Sequence, residues 1–147
     1  MRVVLTCLMV SNILLAAPPA LARNTEYLLK IDEVLQNPEY QQKLGNDVAF
    51  YFGNQPTPHV ETTFGEFVTN KKTNSFGKPD EEACRWVMLS ALIELRDRAR
   101  KMGGNAVTNI ASYFKKNTAA STTVYECHAG AIIAGVALKG TVVKLGK

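Results

Sequence analysis

Residues 80–104 read DEEACRWVMLSALIELRDRARKMGG, and this stretch decides the fold. Cys84, Met88, Ala91, Leu95, Ala99 and Met102 recur three or four places apart, which stacks them on one face of an α-helix. Val87 and Leu92 widen the stripe. Asp80, Glu81 and Glu82 stand where the helix dipole is positive, while Arg96, Arg98, Arg100 and Lys101 crowd its negative end. Gly103-Gly104 supplies the stop signal. A helix this long, apolar along one side, needs a surface to cover.

The flanking sequence offers strands. Downstream, Asn105 to Phe114 and Ser121 to His128 are β-rich and are separated by a polar turn from Lys115 to Ala120. Ala131 to Leu145 is nearly continuous in Ile, Val, Leu and Ala, the pattern of a strand covered on both faces. Gly130, Gly135 and Gly140 punctuate it as bulges or close contacts. Upstream, His59 to Asn70 reads as β, with a bulge predicted at Gly65, and the polar Lys71 to Pro79 reads as a surface connection. Val48 to Phe52 predicts a buried strand, and Gly53 to Pro58 a loop. Asp32 to Leu44 is helical in pattern, with Pro38 confining it to a first turn or splitting it, and Glu26 to Ile31 predicts a short strand. The order around the long helix, β-α-β-β-β, predicts an α+β fold: a mainly antiparallel sheet with one long helix packed on a face.

The first 22 residues read as a targeting segment. Met1-Arg2 gives a positive start, Val3 to Ala16 is mostly apolar, and Ala17-Pro18-Pro19-Ala20-Leu21-Ala22 ends in an Ala-x-Ala cleavage site. The apolar run is shorter than the ~20 residues of a spanning helix. The expected organisation is therefore a signal peptide at 1–22, an extension at 23–58 packed on the core, and a domain at 59–147. Without the leader, Lys plus Arg falls from 17 to 16 while Asp plus Glu stays at 13, leaving a mild net charge of +3. The expected location is outside the cytoplasm, periplasmic or secreted.

Cys7 leaves with the leader, so the mature chain holds Cys84 and Cys127. An even pair in an oxidising compartment predicts a disulfide. The open alternative is a metal site, since thiolate and imidazole suit zinc or copper, with His59 and His128 as the available histidines. Neighbours on a strand point to opposite faces, so Cys127 and His128 cannot easily share one ion.

From His59 to Leu145 the chain resembles the YbjQ-like family, small proteins described as heavy-metal-binding domains. The residues that carry the resemblance are Phe64-Gly65-Glu66-Phe67-Val68, then Ala91-Leu92-x-x-Leu95 and Ala99-Arg100-x-Met102-Gly103. Asn105-Ala106-Val107-x-Asn109-Ile110, Ser112-Tyr113 and Gly140-Thr141-Val142-Val143-Lys144 complete it. Gly103-x-x-Ala106-Val107 is the most specific piece. The arrangement is more similar still to exported, two-cysteine relatives of that family, some loosely labelled excision-nuclease ATPase subunits. The resemblance implies an α/β fold whose antiparallel strands can build a ring-shaped oligomer, and it implies no established reaction. The export signal, the extension at 23–58 and the cysteine pair depart from the cytoplasmic pattern.

The ATPase label finds no loop to support it. Gly135 to Thr141 lacks the lysine that should follow the second glycine of a phosphate-cradling loop, and it lies inside a predicted strand. Ser90, Ser112 and Ser121 have no nucleophile-elbow motif around them, and no acid is placed by motif beside either histidine. Asp80, Glu81 and Glu82 read as helix-start charges. No catalytic residue and no cofactor are expected. Arg96, Arg98, Arg100, Lys101, Lys115 and Lys116 read first as solvated surface; contact with anionic envelope lipid or polysaccharide is the functional alternative. Nucleic acid is not an expected partner, because the basic residues lack interleaved aromatics apart from Tyr113 and Phe114. Trp86, off the main stripe, is expected to pack on the extension near Phe50 to Phe52. The leading expectation is an exported, non-enzymatic binding or assembly protein, with a homo-oligomer admitted; a His/Cys metal-binding protein comes second, and a hydrolase last.

Overall fold

A computed structural model describes residues 22–146. The expected signal peptide, up to Leu21, lies outside the described residues. The elements in chain order are β1 (Thr25–Lys30), α1 (Asp32–Leu35), α2 (Pro38–Leu44), β2 (Ala49–Phe52), β3 (Val60–Asn74), α3 (Asp80–Met102), β4 (Ala106–Ser112), β5 (Val124–Ala129) and β6 (Ile133–Leu145). A short 3₁₀ turn, Phe114–Lys116, follows β4.

Pro38 splits the first helical stretch rather than ending it. The Asn37 side chain accepts from the amides of Glu39 and Tyr40 at 3.0 and 3.2 Å, so the proline opens α2 where its missing N–H costs nothing. Helix α3 keeps its predicted bounds. Gly103 takes a φ of +82° as its C-cap, which turns the chain so that the Gly104 amide donates back to the Ala99 carbonyl at 2.8 Å. Cys84, Met88, Ala91, Leu95 and Ala99 are buried as expected, whereas Met102 is exposed in the last turn.

Strand β6 is the hub. It runs antiparallel to β3 along its whole length, from Asn74↔Ile133 to Val60↔Leu145. Its other edge is shared: β5 holds Ala134 and Gly135, and β4 holds Leu138 to Val143. Beyond β5 lies β1, and beyond β4 lies β2. The sheet is mixed, which corrects the expectation of a mainly antiparallel one. Strand β2 runs parallel to β4, with Ala49 opposite Ala106 and, after a register shift past Phe50, Phe52 opposite Ile110. Both β3 and α3 lie between them in the chain: β2, β3 and β4 run the same way, and α3 carries the chain back from the end of β3 to the start of β4.

Two other expectations change. Strand β3 continues through Lys71 to Asn74, read above as a connection, because β6 supplies a ladder partner for each of those residues. Strand β2 is not a buried strand: Ala49 is exposed and only Phe52 is fully covered. The expected bulge is present, as a register shift between Thr63 and Gly65.

Helix α3 covers one face of the sheet. Val87, Met88, Leu92 and Leu95 meet Val107, Ile110, Val136, Leu138 and Val142 in the main core, joined by Ile31, Val34, Tyr40 and Leu44 from the N-terminal segment. Each such fully buried aliphatic side chain contributes about 1.5–3 kcal/mol before entropy is counted. The opposite, outer face carries a smaller cluster of Ala106, Val143 and Leu145, packed with Tyr51 and Val60.

Candidate functional site

Strand β5 alternates strictly. Tyr125, Cys127 and Ala129 are buried toward α3, and Val124, Glu126 and His128 face the outer side. Cys127 forms a disulfide with Cys84, with Cα atoms 5.9 Å apart, so the predicted pair meets and the helix is tied to the strand. Both sulfurs are thereby withdrawn from metal chemistry.

On the outer face the register of β1 against β5 sets Glu26 opposite His128 and Leu28 opposite Glu126. One ligand atom each from Glu26, Glu126 and His128 lie within 4.8 Å of one another. The His128 Nε2 meets Glu126 Oε1, and both side chains are largely covered, at 10% and 14% exposure. Phe114 stacks flat on the imidazole, with ring centroids 3.4 Å apart and planes 13° from parallel. The other ring nitrogen, Nδ1, is buried with no hydrogen-bond partner.

The surroundings hold this geometry. Strand β5 departs from β6 after Gly135, and the chain after β4 fills the gap, the Tyr113 amide donating to the Ala137 carbonyl at 2.8 Å. The Glu126 amide then donates to the Ser112 hydroxyl at 2.9 Å instead of to a strand. Lys115 and Lys116 both adopt positive φ, 49° and 66°, in the turn that carries Phe114. Such backbone persists where neighbours over-determine it. Beside the imidazole a cleft of about 470 Å³ opens, lined by Arg23, Lys72, Phe114, His128, Ile132 and Ile133. Arg23 is already engaged: its guanidinium donates to both Asp80 oxygens at 2.7 and 2.9 Å and to the Gly130 carbonyl at 2.6 Å. Asp80 also accepts from the Tyr27 hydroxyl, and these bonds, Arg23 first, hold its carboxyl below the ordinary range.

The two histidines do not meet. The His59 carbonyl accepts from the Gly146 amide at one end of β6, while His128 sits opposite Gly135 near the other, roughly 35 Å away along an extended strand. The basic residues flank β4 in the chain: Arg96, Arg100 and Lys101 precede it on α3, and Lys115 and Lys116 follow it. Arg100 grips Asp47 with two bonds of 2.7 and 2.6 Å, and Arg96 grips Asp97 and reaches the Leu44 carbonyl. Lys115 lies over the Phe114 ring at 5.3 Å, in the turn with Lys116. Trp86 packs edge-on against Tyr40 of α2, with centroids 6.2 Å apart, so it meets the N-terminal segment at that helix. The serines are occupied structurally: Ser90 donates to the Trp86 carbonyl, and Ser121 accepts from the Thr123 and Val124 amides.

Sequence reasoning named His128 and missed its carboxylates. Glu126 was legible, two places away on the same strand and hence on the same face. Glu26 was not, because its place depends on a strand pairing across about a hundred residues. Comparison with protein-family models, with curated proteins and with solved structures gave no match.

Proposed function

We propose that this is an exported, non-enzymatic binding and assembly protein, periplasmic or secreted, with a YbjQ-like arrangement around its long helix. The observation that carries this reading is an exposed apolar end. Phe76, Ile132 and Ile133 are 72%, 60% and 52% exposed. Neighbouring turns bring them together: the Ser75 amide donates to the Ile132 carbonyl at 2.9 Å, and Asn74 is paired with Ile133. Exposed apolar groups gathered at one place mark contact surfaces more often than isolated ones do.

Export is supported by the leader pattern and by the disulfide, which belongs to oxidising compartments. Among the described residues, no helix is long and apolar enough to cross a membrane. The strand–helix–three-strand order from β3 onward supports the YbjQ-like part of the reading. Anionic envelope lipid or polysaccharide is the remaining partner class, reduced to Lys101, Lys115 and Lys116 now that Arg96 and Arg100 are engaged within the fold.

Sedimentation across a concentration series tests assembly. The wild-type protein is expected to associate, and Ile132→Ser with Ile133→Ser to return it to monomer. A wild type that stays monomeric at every concentration removes assembly from the reading.

A further inference from the structure

We infer that Glu26, Glu126 and His128 form a site for a divalent metal ion of borderline or hard character, such as Zn²⁺ or Mn²⁺. This goes beyond a contact role at the apolar end, and it uses carboxylate oxygens where the alternative read from the sequence had cysteine sulfurs.

The argument starts from the ladder. Directly opposed residues of an antiparallel pair bring their Cβ atoms to within about 5.5 Å, and residues two apart on one strand share a face. The β1–β5 register therefore places one imidazole and two carboxylates around a common point, and their ligand atoms span no more than 4.8 Å. Ligands to a single ion bound at about 2.0–2.2 Å can lie no farther apart than some 4.4 Å and do not touch one another, so the exposed Glu26 side chain closes in while His128 Nε2 and Glu126 Oε1, now in direct contact, part to admit the ion.

A second observation points the same way. His128 is nine-tenths buried, its ring is clamped by Phe114, and its Nδ1 has lost water without gaining any partner. Nε2 is the nitrogen turned toward Glu126, so it is the ligand atom, and an ion bound there displaces the proton shared with that carboxylate, while Nδ1 faces away. The rest of the site is rigid. Cys127, between the two buried ligands, is fixed to α3, and the Glu126 amide is fixed by Ser112.

The donor set selects the ion. One nitrogen and two carboxylates suit zinc, manganese or nickel, whereas cuprous and mercuric ions favour the thiolates this protein has oxidised. The pair of negative charges offsets the charge of a divalent cation, and Arg23, which lines the same cleft as His128, is paired with Asp80. Three protein ligands leave at least one coordination position for water or a further ligand.

Calorimetric titration of the oxidised protein with Zn²⁺, and separately with Mn²⁺, tests the site. Binding of one ion is expected, weakened about tenfold or more in Glu126→Gln and in His128→Gln, and unchanged in His59→Gln. Because the buried variants can fail to fold, Glu26→Gln at an exposed position carries the test by itself, with circular dichroism as the folding control. Manganese should also broaden the amide resonances of Glu26, Glu126 and His128 before any others. Absence of binding by wild type, or equal affinity in Glu26→Gln and His128→Gln together with broadening elsewhere, overturns the proposal. Failure here leaves assembly through Ile132 and Ile133 untouched, since that is read by sedimentation.

Discussion

Tyr125 lies 1% exposed in the core, on the same strand as Cys127, and its hydroxyl finds no hydrogen-bond partner. Burial pushes its phenol well above the ordinary value, so it stays protonated at any working pH. A buried hydroxyl without a partner costs more than it contributes. Tyr125→Phe is therefore expected to leave stability unchanged or to raise it by up to about 1 kcal/mol in urea unfolding. A loss beyond about 2 kcal/mol would mean that the hydroxyl holds an internal water. At this scale the sequence was informative wherever alternation decided orientation. Cys127 and His128 do face opposite sides of β5. It was silent on Phe114, whose place over the imidazole depends on a turn with two consecutive lysines at positive φ, a conformation no residue preference announces.

Among the elements, α3 was the most legible, because its stripe, its end charges and its glycine stop all agree. The extension of β3 was hidden by its polarity. Lys71 and Thr73 face the helix side, where Lys71 pairs with Glu94, while Lys72 and Asn74 meet solvent, so no apolar alternation marks the strand. The parallel course of β2 was illegible for a different reason: four residues of strand carry no sign of which partner they will take or in which direction. The disulfide joins two of the elements read correctly, and it spans 43 positions. Chain-entropy reasoning gives such a link a stabilisation of about 4 kcal/mol. Replacing both cysteines by alanine is expected to lower the unfolding free energy by roughly 2–4 kcal/mol, read as a shift in the urea midpoint with the far-ultraviolet spectrum retained.

For the molecule as a whole, three carboxylates far apart on the surface titrate below their ordinary range. Asp47 is held down to about 2 by its hydrogen bonds from Arg100. Asp80 is lowered by Arg23 and Tyr27, and Glu94 by Lys71 and Thr69. A carboxyl depressed in the folded state stabilises the fold above its unfolded pKa, near 4, and that contribution drains away as pH falls toward the folded value. Melting temperature should therefore hold between about pH 5 and pH 7 and fall between about pH 4 and pH 2. Asp47→Asn should flatten part of that fall, and salt should blunt it, because the pairs are exposed. If the melting curve shifts equally in Asp47→Asn and wild type, the Arg100 bond is not part of the acid response. None of these long-range pairs was visible in the sequence, where Arg96 and Arg100 read as an open basic surface.

The sheet is joined unevenly. Strand β6 holds β3 through thirteen paired positions, yet it holds β5 through only two, His128↔Gly135 and Ala129↔Ala134. The ribbon of β1 and β5 is thus attached along a short seam, and the Cys84–Cys127 bond sits one residue from it. Reduction should unzip the molecule locally before it unfolds globally: the amides of the β1–β5 ribbon would exchange with solvent while those of β3 and β6 stay protected. A reducing environment would in this way loosen the ribbon that bears Glu26, Glu126 and His128 and leave the remainder of the sheet standing.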